Sequence, residues 1–264
     1  MKKDNLILLK IGGSVITDKK IPYKVKRKTI ERLAREIKEA QIKKKFDLII
    51  GSGGGSFPHT SAKIYKTAEG CKKEKDFFGL CVVQNDAAKL NRILTDIFLK
   101  EGLKVFSIQP SAIFLTKKDK IFNFYLKIIE KLLEKKIIPI LYGDAVLDLD
   151  KGCTIVSTER ILSFLARKFR AKKIIFGTKE RGVYIKGNGK KKFLKEINRK
   201  NWKKIKKEIS YSEDIDVTGG MLHKVEEAIK LSKLGFEIEI ISEAISGNLK
   251  ESLLGREVGT KIKW

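Results

Sequence analysis

Histidine, cysteine and acid are all scarce in this chain of 264 residues, and each shortage narrows what it can do. The three cysteines, Cys71, Cys81 and Cys153, are odd in number, widely spaced and without a CxxC pair. Neither a disulfide framework nor a zinc site is expected from them, and a reducing cytoplasm suits them. No proline- or serine-rich linker interrupts the chain, and no internal repeat or low-complexity tract is present. No apolar run approaches the ~20 residues of a membrane span. Met1-Lys2-Lys3 followed by Leu6 to Leu9 has the outline of a signal peptide, but Lys10 and Gly12-Gly13 break the run too early. The expectation is a soluble, cytoplasmic, globular protein with no membrane contact.

Acidic residues number 32 against 58 Lys and Arg, a formal net charge of +26. Such an excess attracts nucleic acid, anionic membranes or phosphorylated metabolites. The lysines are dispersed in pairs and triples, at Lys43 to Lys45, Lys117-Lys118, Lys172-Lys173 and Lys190 to Lys192 among others. Arginine forks and interleaved aromatics, which base readout and stacking need, are sparse in these clusters. A solvated lysine surface is therefore the expected reading, and nucleic acid is not the expected partner.

What the chain does have is glycine at the ends of apolar runs. Phe46 to Ile50 reads as a buried strand, and Gly51-Ser52-Gly53-Gly54-Gly55-Ser56-Phe57-Pro58-His59 follows it. Consecutive glycines expose backbone N–H groups with no Cβ in the way, and a following helix adds its positive dipole end. That makes a cradle for an anion, with His59 at its exit. Asn5 to Ile11 is a similar run ending at Gly12-Gly13-Ser14, and a lysine at its end, Lys10, is costly unless its ammonium meets an anion. Lys19 follows in the next loop. The helical spacing of Ile30, Leu33, Ala34, Ile37 and Ala40 makes Thr29 to Lys44 a crossover helix, so both glycine turns face one cleft at the same sheet edge.

Further along, the pattern predicts a long helix over 75–99, a strand over 103–108, a helix over 122–135 and a strand over 137–142 ending at Gly143-Asp144. Asp144, an acid among lysines at a strand end, is expected to orient them. A hairpin over 146–156 and a helix capped by Ser157 come next, then a strand over 172–176. A change of character near Ser157 divides the chain into two expected lobes, 1–156 and 157–264, sharing one sheet. Asp216-Val217-Thr218-Gly219-Gly220-Met221 opens a last strong helix, with Lys224 in its first turn leaning back toward the same mouth.

Three glycine turns with nearby lysines suit phosphoryl transfer, which depends on positioning and charge neutralisation. The chain lacks GxxxxGK[ST], which excludes a P-loop kinase, and Ser56 stands where a dinucleotide fold needs its third glycine.

Lys10-Ile11-Gly12-Gly13-Ser14, the Gly53-Gly54-Gly55 loop and Asp216 to Met221 with Lys224 resemble, in that order, the motifs of the amino acid kinase superfamily. Thr17-Asp18-Lys19, His59, Ser107 to Ser111 and Gly143-Asp144 are most similar to archaeal-type isopentenyl phosphate kinases. The resemblance runs nearly end to end. It implies an open αβα sandwich around a mainly parallel sheet, and transfer of the γ-phosphoryl of ATP, with Mg²⁺, to isopentenyl phosphate by a homodimer. It also implies that the 1–156 lobe binds the acceptor and the 157–264 lobe the nucleotide. By matching position, Gly54 and His59 would hold the acceptor phosphate. Lys10, Gly12, Gly13, Ser14, Gly55, Gly220 and Lys224 would surround the ATP phosphates, Lys19 would stabilise the transferred group, and Asp144 would orient the lysines. Phe77, Phe78, Leu80 and Cys81 would wall the prenyl tail. Thr158 stands where relatives have a glycine beside the acceptor phosphate. Lys179 and Arg181 replace two aspartates of the nucleotide loop, and both can meet phosphate. Two other readings stay open: a kinase of this fold with another small acceptor, and a non-catalytic anion or RNA binder.

Overall fold

The computed structural model describes residues 5–18, 20–187, 190–210 and 220–264. The first half opens with β1 (Leu6–Ile11), a one-turn α1 (Gly13–Ile16), α2 (Arg27–Lys43), β2 (Asp47–Ser52) and α3 (Pro58–Tyr65). A short 3₁₀ turn at Thr67–Glu69 leads into the long α4 (Glu74–Lys100), then β3 (Val105–Ser107) and α5 (Pro110–Ile113). There follow β4 (Phe114–Lys117), β5 (Lys120–Phe124), α6 (Lys127–Glu134), β6 (Ile138–Tyr142), β7 (Asp144–Asp148) and β8 (Gly152–Val156). The second half runs α7 (Thr158–Phe169), β9 (Lys173–Thr178), β10 (Val183–Gly187), β11 (Lys190–Leu194), β12 (Glu196–Asn198) and α8 (Trp202–Ser210). It ends with α9 (Gly220–Ser232), β13 (Glu237–Ser242), α10 (Asn248–Leu254) and β14 (Thr260–Lys263).

One eight-stranded sheet, ordered β12-β14-β13-β9-β1-β2-β6-β3, runs through both halves. Only β14 runs against its neighbour β13, so the sheet is mainly parallel. Strand β1 lies at its centre, buried throughout because helices cover both faces. Alternation sends Leu6 and Leu8 to one face, against α7, α8 and α9, and Ile7, Leu9 and Ile11 to the other, against α2, α4 and α10. The open αβα sandwich is therefore as expected. Because the strands around β1 are parallel, their carboxyl ends, at Ile11, Ser52, Tyr142, Thr178 and Ser242, all reach the same edge. Ligands of open α/β sheets bind outside that edge.

Two expectations are corrected. The helix expected over 122–135 begins only at Lys127. Residues 120–124 instead form β5, paired antiparallel with β4 around a turn in which Lys118 and Asp119 take φ of 49° and 61°. Phe124 packs against Phe164 from that strand, and this tertiary contact outweighs the local spacing. The cysteines also pair after all, Cys71 with Cys153 across 82 residues, with Cα atoms 5.1 Å apart. The chain brings them together by main-chain pairing: Cys71 N–H donates to Lys151 O at 2.8 Å, and a Cβ on Gly152 would fall 2.1 Å from Cys71 O. Among the described residues no helix is long and apolar enough to cross a membrane.

Candidate active site at the carboxyl edge of the sheet

Lys10 points to the same face of β1 as Leu6 and Leu8, which is the face under α7. There its Nζ meets Glu159 Oε1 at 3.0 Å, and both side chains are largely buried. Ser157 caps α7 by accepting the Arg160 N–H at 3.2 Å, which places Glu159 in the first turn, over the strand end. Burial alone would push the Glu159 carboxyl up. The Lys10 charge and hydrogen bond outweigh it, with a further contribution from Lys224, and hold the group below the usual carboxylate range. Lys224, half-buried in the first turns of α9, thus acts on the same carboxylate as Lys10.

The two glycine turns are pressed together. Gly53 N–H donates to Ile11 O at 2.9 Å, and a Cβ on Gly13 would lie 2.4 Å from Gly55 N. Thr17 bolts them to each other, donating to Gly13 O at 2.8 Å while accepting the Ser56 N–H at 3.1 Å. Gly55 has φ of 55°, and a Cβ there would be 2.3 Å from Thr17 Oγ1, so no side chain fits. Ser14 lies in the α1 turn just beyond Gly13.

On the other side of these turns stands Gly54, whose Cβ position is 2.4 Å from Pro58 Cγ and 3.7 Å from His59 Cδ2. Pro58 is the first residue of α3, a position where its missing N–H costs nothing, and His59 is exposed beside it. Thr158 is buried, and its hydroxyl donates to Ser52 O at 2.8 Å, so its side chain is already engaged. A Cβ on Gly143 would lie 3.2 Å from the Thr158 backbone nitrogen, so Gly143 keeps the approach open. Phe77 and Phe78 are 39% and 63% exposed on the first turns of α4, and Cys81 is exposed too.

Among the described residues Asp144 does not join the lysines. Its oxygens accept the Ser111 and Ala145 N–H groups, each at 2.9 Å, so it holds the α5 turn against β7. Burial pushes its carboxyl up to about 6 against the pull of those hydrogen bonds. The lysine partner is Glu159, which sequence reasoning passed over. The signal was present, an acid two residues past a helix cap at the edge where Lys10 emerges, but only the fold shows which acid reaches. Lys179 is exposed at the end of β9, where its carbonyl accepts the Ser242 hydroxyl at 3.0 Å, and Arg181 stacks over the Phe193 ring at 5.0 Å. Gly220 begins α9. Lys19 and Asp216 to Gly219 lie outside the described residues.

Comparison with known proteins fits this geometry. The family model described as the amino acid kinase family matches residues 5–242. The chain is 34% identical to isopentenyl phosphate kinase of Methanothermobacter thermautotrophicus, over 97% of this chain and 98% of that one. It is 35% identical to isopentenyl phosphate kinase of Methanocaldococcus jannaschii with the same coverage. A solved structure described under "X-ray structures of isopentenyl phosphate kinase" superposes with a TM-score of 0.81 at 32% identity, covering 97% of this chain and all of that one. From its sequence, its sheet and its glycine turns, the chain belongs to the amino acid kinase family.

Proposed function

We propose that this protein is a phosphotransferase that moves the γ-phosphoryl group of ATP onto isopentenyl phosphate, giving isopentenyl diphosphate and ADP for isoprenoid synthesis. The carrying observation is the Lys10–Glu159 ion pair, with the charge of Lys224 acting on the same carboxylate, together with the apposed turns of Gly13 and Gly53 to Gly55. It is supported by the name shared by relatives 34% and 35% identical over nearly the whole chain.

An oxygen of the acceptor phosphate attacks the γ-phosphorus as the bond to the bridging oxygen of ADP breaks, with the two oxygens in line. The acceptor already carries its nucleophile, so no strong base is needed, and His59 places that phosphate by donating a hydrogen bond, together with backbone N–H groups at Gly54 and Thr158. Lys10 and Lys224 neutralise the charge that spreads over the transferred oxygens. Gly12, Gly13, Ser14, Gly55, Gly220 and Lys179 surround the donor phosphates, and Lys19 serves the transferred group. Glu159 keeps Lys10 and Lys224 aimed at one point.

Among the described residues no group of three or more His, Cys, Asp or Glu side chains could cage a metal. Mg²⁺ would come carried on the nucleotide, since this ion keeps its waters and binds mainly through phosphate oxygens. When bound it would draw charge from those oxygens.

The 1–156 lobe takes the acceptor and the 157–264 lobe the nucleotide, in a cytoplasmic homodimer. A persistent Cys71–Cys153 bond fits that location only where intracellular proteins keep disulfides, as those of hyperthermophiles do. Incubation with Mg-ATP and isopentenyl phosphate, followed by phosphorus NMR, should show the diphosphate, and His59→Ala should lose most of the turnover. ATP binding without product, across a panel of other phosphate, phosphonate and carboxylate acceptors as well, would refute the assignment.

A further inference from the structure

Buried against the first glycine turn lies a carboxyl group to which the proposed transfer reaction gives no role. Glu243 directly follows β13 and is fully buried. Its Oε2 accepts the Gly12 N–H at 2.8 Å, while its Oε1 is buried with no hydrogen-bond partner. The chain has made room for it: a Cβ on Gly177 of β9 would fall 1.9 Å from the Glu243 carboxyl carbon. Its main chain is fixed from α2, where Arg32 donates to the Glu243 carbonyl oxygen and also pairs with Glu36. Glu36 in turn accepts the N–H groups of Gly247, Leu249 and Lys250 at the start of α10.

We propose that Glu243 is a positioning residue for the donor phosphates, anchoring Gly12 and acting there as a neutral acid rather than as a carboxylate. This rests on the reading of Gly12 and Gly13 as the donor-phosphate turn. The charges facing Glu243 are Lys10 from β1 and Arg32 and Glu36 from α2, while β9 presents the Cα of Gly177. Lys10 is already paired with Glu159 of α7 at 3.0 Å, and Arg32 with Glu36, so neither cation is Glu243's own. An ionised carboxylate needs several donors, and here one N–H serves one oxygen. Burial accordingly pushes the Glu243 acid up to about 8, against smaller pulls from Gly12, Lys10 and Arg32.

The consequence is a coupling between proton and nucleotide. Below that value the turn offers its N–H groups and Lys10 to an incoming phosphate with no negative charge at Glu243. Above it, an anion sits a few atoms from where phosphate must bind, and nucleotide binding must take up a proton.

The test is the dissociation constant of Mg-ADP from pH 6.5 to 9.5, measured calorimetrically with no acceptor present. The wild type should weaken above pH 8, approaching about tenfold per pH unit, and take up close to one proton on binding when buffers of different ionisation enthalpy are compared. Glu243→Gln, a neutral isostere that can still accept from Gly12, should bind within about threefold of wild type at pH 7 and lose the alkaline slope. Glu243→Ala, which frees the turn, should bind more weakly at every pH. The same slope in Glu243→Gln would overturn the proposal, as would wild-type binding that takes up no proton at pH 9, a readout that needs no variant. Since the acceptor is absent, failure of isopentenyl phosphate as substrate leaves this test intact, whereas no nucleotide binding at any pH would refute both readings.

Discussion

Lys10, near the end of the central strand, and Glu159, in the first turn of α7, are joined by a 3.0 Å ion pair although 149 positions separate them by number. The pair stands where a lysine is costly without a partner, so Glu159 both permits Lys10 to be buried and aims it. Lys10→Met should lower kcat by about 10²-fold with little change in acceptor KM, because the ammonium acts most strongly on charge that develops in transfer. Glu159→Gln should lower kcat by a smaller factor, since Lys10 then wanders. The double variant should be little worse than Lys10→Met alone. Equal and additive losses in a double-mutant cycle would mean that the two residues do not work as one unit.

Thr158 occupies a place where its side chain has work elsewhere. Its hydroxyl holds Ser52 O at 2.8 Å, and its methyl group closes on Gly51, where a Cβ would lie 2.5 Å from it. Only its N–H is left for the acceptor phosphate proposed to bind there. Thr158→Gly should therefore change acceptor KM by less than about threefold and cost about 1 kcal/mol of stability through the lost buried hydrogen bond. A tenfold gain in acceptor affinity on Thr158→Gly would instead mean that the side chain obstructs the site.

The fold was largely legible because β1, β2 and β6 are near-continuous apolar runs that end in glycine, and such runs read directly as central parallel strands. Lys10 stood out for the same reason, as a charge inside one of those runs. Glu159 did not, because a glutamate in the first turn of a helix is ordinary in sequence, and only the crossing of α7 over the β1 end sets it against a lysine. Asp144 looked the better orienting acid, yet its backbone direction turns it to Ser111. Glu243 was invisible from sequence for a further reason: its burial depends on the space left by Gly177, which sits on a different strand. α8 and α10 were missed because few apolar side chains, such as Ile205 and Ile209 among lysines, mark their buried faces.

At the far end of the sheet, Lys173 Nζ lies 2.6 Å from Glu239 Oε2 and also donates to Ser252 O, while Glu239 Oε1 accepts the Val258 and Gly259 N–H groups. Burial works to raise the Glu239 carboxyl, but the Lys173 charge and these hydrogen bonds hold it below its ordinary value near 4.5. A depressed carboxyl contributes stability that is present above that ordinary value and lost as pH falls through the lower, folded one. Lys173→Met should cost about 3–5 kcal/mol at pH 7 by stranding the carboxylate. It should also reverse the sign, so that the variant gains stability as pH is lowered from 7 toward 5 while the wild type does not. Denaturant melts across that range decide the matter, and parallel curves would show that the pair is not the source.

Cys71 and Cys153 tie the approach to α4 onto the β7–β8 hairpin, and the same contact brings the Phe77 ring to 3.2 Å from the Cβ position of Gly152. The bond closes a long loop, so removing it should cost about 2–4 kcal/mol. Replacing both cysteines by serine should lower Tm by roughly 5–15 °C for a chain of this size. Denatured without reductant, the wild type should present one reactive thiol, Cys81, rather than three. Because Phe77 lies on the wall expected to face the acceptor's tail, the double-serine variant, assayed well below its Tm, should show a raised KM for the acceptor and an unaltered KM for ATP. Equal changes in both constants would mean that the bond serves the fold as a whole and not that wall.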